Sequence, residues 1–250
     1  GYCIVWGVGT GGLVKELARQ SELRMVVIEA NASRANAFRD QLRRIGLGGD
    51  RVAVLVAGPL EISLPPYLAS LIVTESLPSE ASDRAALIAK TFASLRPFGG
   101  VACLPVRSDQ IDSLIGSMKK YPLAEAAWNP AGEMTLLVRE GSLPDSANWT
   151  HEHADAANTR VSKDKLAKAP LGLLWFGGSS NDSILPRHGH GPQPQVVDGR
   201  LFIEGVDLLR AMDIYTGRVL WESPLPGVGA LYDNTAHQPG ANASGTNYIA

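Results

Sequence analysis

Tyr2-Cys3-Ile4-Val5-Trp6, then Gly7-Val8-Gly9-Thr10-Gly11-Gly12, then Leu13, Val14, Leu17 and Ala18 form the stretch on which the fold of this chain turns. Five apolar or aromatic residues in a row predict a buried strand, and the apolar residues after the glycines repeat at helical spacing. Glycine lets the backbone turn tightly and approach a ligand, while the following helix offers free N–H groups and the positive end of its dipole. Strand, glycine turn and helix in that order are a nucleotide-binding signal.

The pattern continues outward from there. Residues 24–28 predict a second strand ending in Glu29, and an acid at the tip of strand two can accept hydrogen bonds from both hydroxyls of a ribose. A helix over 33–44, a strand over 52–57 and a strand over 70–74 follow, the last leading into Glu75-Ser76-Leu77-Pro78. A helix over 81–95 runs through Arg96-Pro97-Phe98-Gly99-Gly100 into a strand over 101–106. After a helix over 108–120, two closing strands over 124–128 and 133–139 are joined by Asn129-Pro130-Ala131-Gly132. Alternating strands and helices predict an α/β doubly wound sheet with a ligand crevice at the strand C-termini. Gly7, Gly9 and Gly12 satisfy the dinucleotide spacing, so Glu29 fits a nicotinamide enzyme as well as a nucleoside binder. Glu75 reads either as the partner of a substrate amine or guanidinium or as a helix-capping or solvated carboxylate. Cys3 and Cys103 fall in predicted strands and read as small buried hydrophobes, and Arg39, Arg43 and Arg44 as a solvated helix face.

The terminal hairpin, which makes the last strand antiparallel, and the Leu95-Arg96-Pro97-Phe98-Gly99-Gly100 turn are unlike a dehydrogenase half. With the glycine loop they resemble the class I S-adenosylmethionine-dependent methyltransferases over residues 1–140 or so. The resemblance implies a cofactor, S-adenosylmethionine, with Gly7, Gly9 and Gly11 at its methionine end and Glu29 at its ribose. It implies a methyl acceptor, small or peptidic, held near Glu75 as the candidate catalytic residue. Three positions depart from the family pattern. Val5 stands where an acid usually precedes the first glycine by two. Gly58-Pro59-Leu60 follows strand three where an acid is expected, with Glu61 displaced. Thr74-Glu75-Ser76-Leu77-Pro78 replaces the usual Asp/Asn-Pro-Pro-aromatic motif. Methyl transfer needs chiefly alignment of nucleophile and methyl group, so a missing general base does not exclude it.

Composition changes along the chain. All five histidines and three of the five tryptophans (Trp149, Trp175 and Trp221) lie beyond residue 148. The expected domains are therefore 1–143 and 144–250. The formal charge of −2, from 23 Lys+Arg and 25 Asp+Glu, argues against nucleic acid as a delocalised partner. Two cysteines exclude a disulfide-stapled scaffold, and no apolar run approaches the length of a membrane span. In the second part, Gln195-Val196-Val197-Asp198-Gly199-Arg200-Leu201-Phe202-Ile203 predicts a hairpin, since Asp-Gly between apolar segments supplies two residues with positive φ. A second hairpin runs from Leu208 through Tyr215-Thr216-Gly217 to Trp221, giving four strands in one blade-sized unit.

Leu209-Arg210-Ala211-Met212-Asp213, Thr216-Gly217 and Trp221 resemble the PQQ-like, quinoprotein-type β-propeller repeat. Asp213 and Thr216 would tie down the turn and Trp221 would wedge against a neighbouring blade. Trp149 with Asn158, Arg160 and Ser162 resembles the opening segment of such propellers, and Trp175 would close the last strand of a preceding blade. The resemblance implies about one and a half all-β blades, with remaining blades of the same chain as partners. PQQ and Ca²⁺ would bind only if the full propeller is a quinoprotein. His188 with His190, and His151 with His153, invite a metal reading, but no third ligand is identifiable and no metal site is assigned. Arg187 with these histidines could instead line the propeller face as an anion or substrate patch, and Asn234 and His237 lie at a comparable loop position one blade later. The first and last residues both read as strands cut short, so a piece of a larger, multidomain bacterial protein is expected. The function implied is a methyltransferase-like module on a propeller; the alternatives are a non-catalytic binding scaffold and a quinoprotein oxidoreductase fragment. A propeller favours the periplasm or cell envelope, S-adenosylmethionine chemistry the cytoplasm.

Overall fold

The apolar run Tyr2–Trp6 forms β1, and its alternate side chains enter two cores: Ile4 and Trp6 one, Cys3 and Val5 the other. The computed structural model describes residues 1–179, 183–185 and 193–228. Contacts divide the chain into two units, Gly1–Gly141 and Ser142–Ala250.

In the first unit β1 is followed by α1 (Gly12–Gln20), β2 (Arg24–Glu29), α2 (Ala32–Arg44), β3 (Val52–Val56) and β4 (Leu71–Thr74). Then come α3 (Ala81–Ser94), β5 (Gly100–Leu104), a 3-10 turn over Ser108–Gln110, α4 (Ile111–Ser117), β6 (Ala126–Ala131) and β7 (Met134–Arg139). The strands form one sheet in the order β3-β2-β1-β4-β5-β7-β6. β1 to β5 are parallel; β7 runs antiparallel to β5, and β6 to β7. This is the α/β sheet with an antiparallel end that the sequence led us to expect. Val14 of α1 and Ala35, Phe38 and Leu42 of α2 pack on one face. Ala85, Ile88 and Phe92 of α3 and Ile111 and Leu114 of α4 pack on the other. Across the second core the Trp6 indole N–H donates to Thr91 Oγ1 at 2.9 Å, fixing α3 to β1.

Two elements differ from expectation. The helix predicted over 108–120 is shorter, because its end tightens: the Ser117 hydroxyl takes the Leu114 carbonyl and the Met118 N–H turns to Ile115. The closing hairpin is also tighter than its Asn-Pro-Ala-Gly sequence implied. Asn129 and Pro130 belong to β6, and only Gly132 and Glu133 separate the paired residues Ala131 and Met134. β6 is the edge of the sheet, where the missing N–H of proline is tolerated.

The second unit contains β8 (Gln195–Val197), β9 (Arg200–Gly205), β10 (Leu208–Asp213) and β11 (Val219–Pro224), an antiparallel meander in the order β11-β10-β9-β8. Asp198 and Gly199 both adopt positive φ (48° and 75°), as their hairpin requires. Trp149 extends the sheet by an isolated bridge to Val196. Of the expected one and a half propeller blades, the described residues form a single four-stranded sheet. Trp175 does not end a strand; its ring lies instead on the β10–β11 turn, its N–H donating to the Ile214 carbonyl at 2.7 Å. Asp213 does tie that turn, its Oδ1 accepting from the Tyr215 N–H at 2.8 Å. Thr216 does not, its hydroxyl being buried without a hydrogen-bond partner among the described residues. Trp221 remains partly exposed beside Phe202, with ring centroids 6.0 Å apart.

Candidate functional site

Parallel pairing of β1 with β4 sets Trp6 opposite Thr74, so the loops beginning at Gly7 and Glu75 leave the sheet side by side. The chain runs outward from β1 to β2 and β3 on one side and through β4 and β5 on the other. Their boundary is a topological switch point, where open α/β sheets form their ligand crevice.

Gly7, Gly9 and Gly11 have φ of +82°, +55° and +77°, whereas Gly12 is already helical. Gly11, rather than Gly12, is therefore the third glycine that the loop conformation demands. A Cβ on Gly7 would meet no atom within 4 Å, which leaves this side of the loop open. One on Gly9 would coincide with Glu75 Oε2 and lie 2.8 Å from its Cδ. One on Gly11 would lie 2.5 Å from Cε2 of the core residue Phe38.

Glu29 closes the loop from behind. Its side chain is buried, Oε2 accepting from the Val8 N–H at 3.1 Å and Oε1 from the Asn31 N–H at 2.9 Å. Arg34 Nη1 stands 3.5 Å from Oε2. Burial would raise this carboxyl, but the Asn31 and Val8 amides and the Arg34 guanidinium outweigh it and hold the group below its ordinary range. Two amides and Arg34 take three of the roughly four acceptor sites of the ionised carboxylate, so Glu29 retains capacity for a hydroxyl donor at Oε1.

Glu75 is exposed and makes no hydrogen bond or ion pair among the described residues. The helix-capping reading is corrected, because α3 has its N-cap at Glu80. Thr74 shapes the turn that carries Glu75, donating its hydroxyl to the Ser76 carbonyl at 2.6 Å. Beyond Glu75 lies a cavity of about 530 Å³, walled by Pro78 and Arg84 on one side and Val106, Asp109 and Ser113 on the other. Arg84 is spent on the carbonyls of Pro78 and Ser79, at 3.0 and 2.8 Å, and Asp109 pairs with Arg107 at 3.3 Å. Glu75 is thus the unengaged charge between glycine loop and cavity.

The remaining sequence candidates fall elsewhere. Glu61 lines a separate cavity of about 310 Å³ with Lys90 and Ser94. Cys3 is fully buried and pushed up to about 12 by burial and by its neighbour Cys103; burial also raises half-buried Cys103. Of the arginine cluster, Arg39 is not merely solvated, since its Nε donates to the Val54 carbonyl at 3.1 Å. His151 Nδ1 lies 2.8 Å from Thr150 Oγ1, and His153 Nε2 lies 3.3 Å from Arg160. Arg187, His188, His190, Asn234 and His237 lie outside the described residues. Among the described residues, no group of three or more His, Cys, Asp or Glu side chains could hold a metal, and no helix is long and apolar enough to cross a membrane.

Sequence reasoning missed the Phe38 contact that forces glycine at 11 and the amide at Asn31. The spacing of Ala35, Phe38 and Leu42 on one face of α2 does point Phe38 at the sheet, though not at Gly11 in particular.

No family model and no curated protein matches the chain. Solved structures resembling it include a candidate S-adenosyl-L-methionine-dependent methyltransferase from Methanococcus maripaludis, 15% identical with a TM-score of 0.47, covering 59% of this chain and 80% of that one. The S-adenosylmethionine-dependent methyltransferase SibL is 14% identical with a TM-score of 0.43, covering 56% and 50%. The geranyl diphosphate C-methyltransferase of Streptomyces coelicolor A3(2), solved with Mg²⁺, geranyl diphosphate and S-adenosyl-L-homocysteine, is 14% identical with a TM-score of 0.39, covering 51% and 55%. The chain thus spans about half the length of the last two. The strand order and loop geometry above stand independently of these likenesses.

Proposed function

We propose that the first unit is an S-adenosylmethionine-binding, methyltransferase-like module. The observation that carries this reading is the arrangement at the switch point. Three left-handed glycines, open at Gly7, stand in front of a buried ionised carboxylate on the tip of β2. The residues suit the cofactor: Gly7, Gly9 and Gly11 would accommodate its amino-acid end and Glu29 would accept a ribose hydroxyl. When bound, the cofactor's sulfonium supplies an electrophilic methyl group. The cavity beyond Glu75 would hold the acceptor, and the chain's part in the transfer is orientation and exclusion of water. Calorimetric titration of the whole chain with S-adenosylmethionine is the test. Saturable binding in competition with S-adenosylhomocysteine is expected, and its absence at millimolar ligand would end the reading.

One observation favours a second reading for β8–β11, as one blade of a PQQ-like propeller. Leu209, Ala211, Asp213, Gly217 and Trp221 of the repeat pattern fall on a four-stranded antiparallel meander, the size of one blade, and Trp175 covers the Gly217 turn. Such a propeller would serve as a binding scaffold, or as a quinoprotein if it takes up PQQ and Ca²⁺. The test is to add PQQ and Ca²⁺ to the protein with its complete flanking sequence. Dye reduction with alcohols or sugars would favour the enzyme, and no quinone uptake the scaffold.

A further inference from the structure

A carboxylate stands at the glycine loop, delivered from the neighbouring strand: Glu75 follows β4 and lies directly on Gly9. Glu29, the other acid at this loop, is occupied by two amides and Arg34. Glu75 has no such engagement among the described residues and faces the crevice.

We propose that Glu75, seated against the glycine loop from the end of β4, recognises the α-ammonium group of the cofactor's amino-acid moiety. The inference rests on the cofactor reading above and reassigns Glu75 from the acceptor to the cofactor. Its physical basis is a charge-assisted hydrogen bond between an ammonium and an exposed carboxylate already seated against the loop, with no ion pair to break first. Gly9 is required on this account because any side chain there would displace the recognising carboxylate.

Glu75→Gln keeps the shape and removes the charge. Affinities of wild type and variant are measured by calorimetry for S-adenosylmethionine, S-adenosylhomocysteine and 5′-methylthioadenosine, which has the nucleoside part but no amino-acid moiety. Glu75→Gln should weaken the first two ligands by about tenfold and leave methylthioadenosine unchanged. Glu75→Asp should recover part of the loss. Thermal unfolding of each variant checks that the fold is kept. If wild type binds all three ligands and Glu75→Gln leaves the affinities alone, or lowers all three equally, only the role of Glu75 is overturned. If wild type binds none of them, the cofactor reading itself falls and this inference with it.

Discussion

The carboxylate of Glu75 occupies the place where a side chain on Gly9 would begin. One residue follows β4 and the other belongs to the turn after β1, and they meet because those strands are parallel neighbours in register. Glycine at position 9 therefore answers to two demands at once, a positive φ and the room taken by an acid from another strand.

Gly9→Ala and Gly11→Ala should differ in stability although both replace left-handed glycines. Each carries a conformational cost of about 1–2 kcal/mol. At Gly9 the obstructing group is the mobile end of Glu75, which can swing aside. At Gly11 it is the buried ring of Phe38, and overpacking there should add about 1–3 kcal/mol. Urea denaturation should therefore rank Gly11→Ala as clearly the less stable; equal midpoints would contradict the packing described.

Removing the Glu29 carboxylate should loosen the glycine loop. Glu29→Ala leaves the Val8 and Asn31 amides without their acceptor, a loss of about 1–3 kcal/mol. The folded carboxyl titrates lower than in the unfolded chain, so its contribution is complete above the unfolded value and disappears as pH falls through the folded one. The stability gap between wild type and Glu29→Gln should accordingly be constant near neutrality and narrow below about pH 4. A gap that widened on acidification would contradict the assignment.

In the second unit, Gly217→Ala would set its Cβ 2.7 Å from Cδ2 of Trp175 in a residue with φ +67°. The indole should be displaced from the turn and lose its bond to Ile214. A red shift of tryptophan fluorescence and a loss of at least about 1 kcal/mol are expected. Trp175→Phe should keep the ring contact but lose the hydrogen bond, costing about 1 kcal/mol.

Cys3 should be inert. It is fully buried and its thiol is raised to about 12, so it is not a thiolate nucleophile at neutral pH. Titration with a chromogenic disulfide at pH 7.5–8 should leave Cys3 unmodified in the folded protein, while both cysteines react in denaturant. Rapid modification of Cys3 without unfolding would show that β1 is not shielded as described.

Much of the local structure was legible in the chain itself. The apolar run before Gly7 became β1, the acid after the second run became the buried Glu29, and Asp198-Gly199 took the two positive φ angles that its hairpin demands. Such features depend on residues close in sequence, where periodicity and backbone preference act directly. Pro130 misled for the complementary reason. A proline reads as a strand breaker until the sheet shows that its strand is an edge with no N–H required.

The site itself was decided by tertiary structure. Sequence nominated Gly9 and Glu75 separately, as a turn residue and a lone acid, and offered no reason to connect them. Their contact exists because the sheet places β4 beside β1, and strand order is settled by how helices cover two faces rather than by any local pattern. The same holds for Phe38 against Gly11 and Trp175 against Gly217. Local sequence determined which backbone shapes were available; long-range packing determined which side chains those shapes had to make room for.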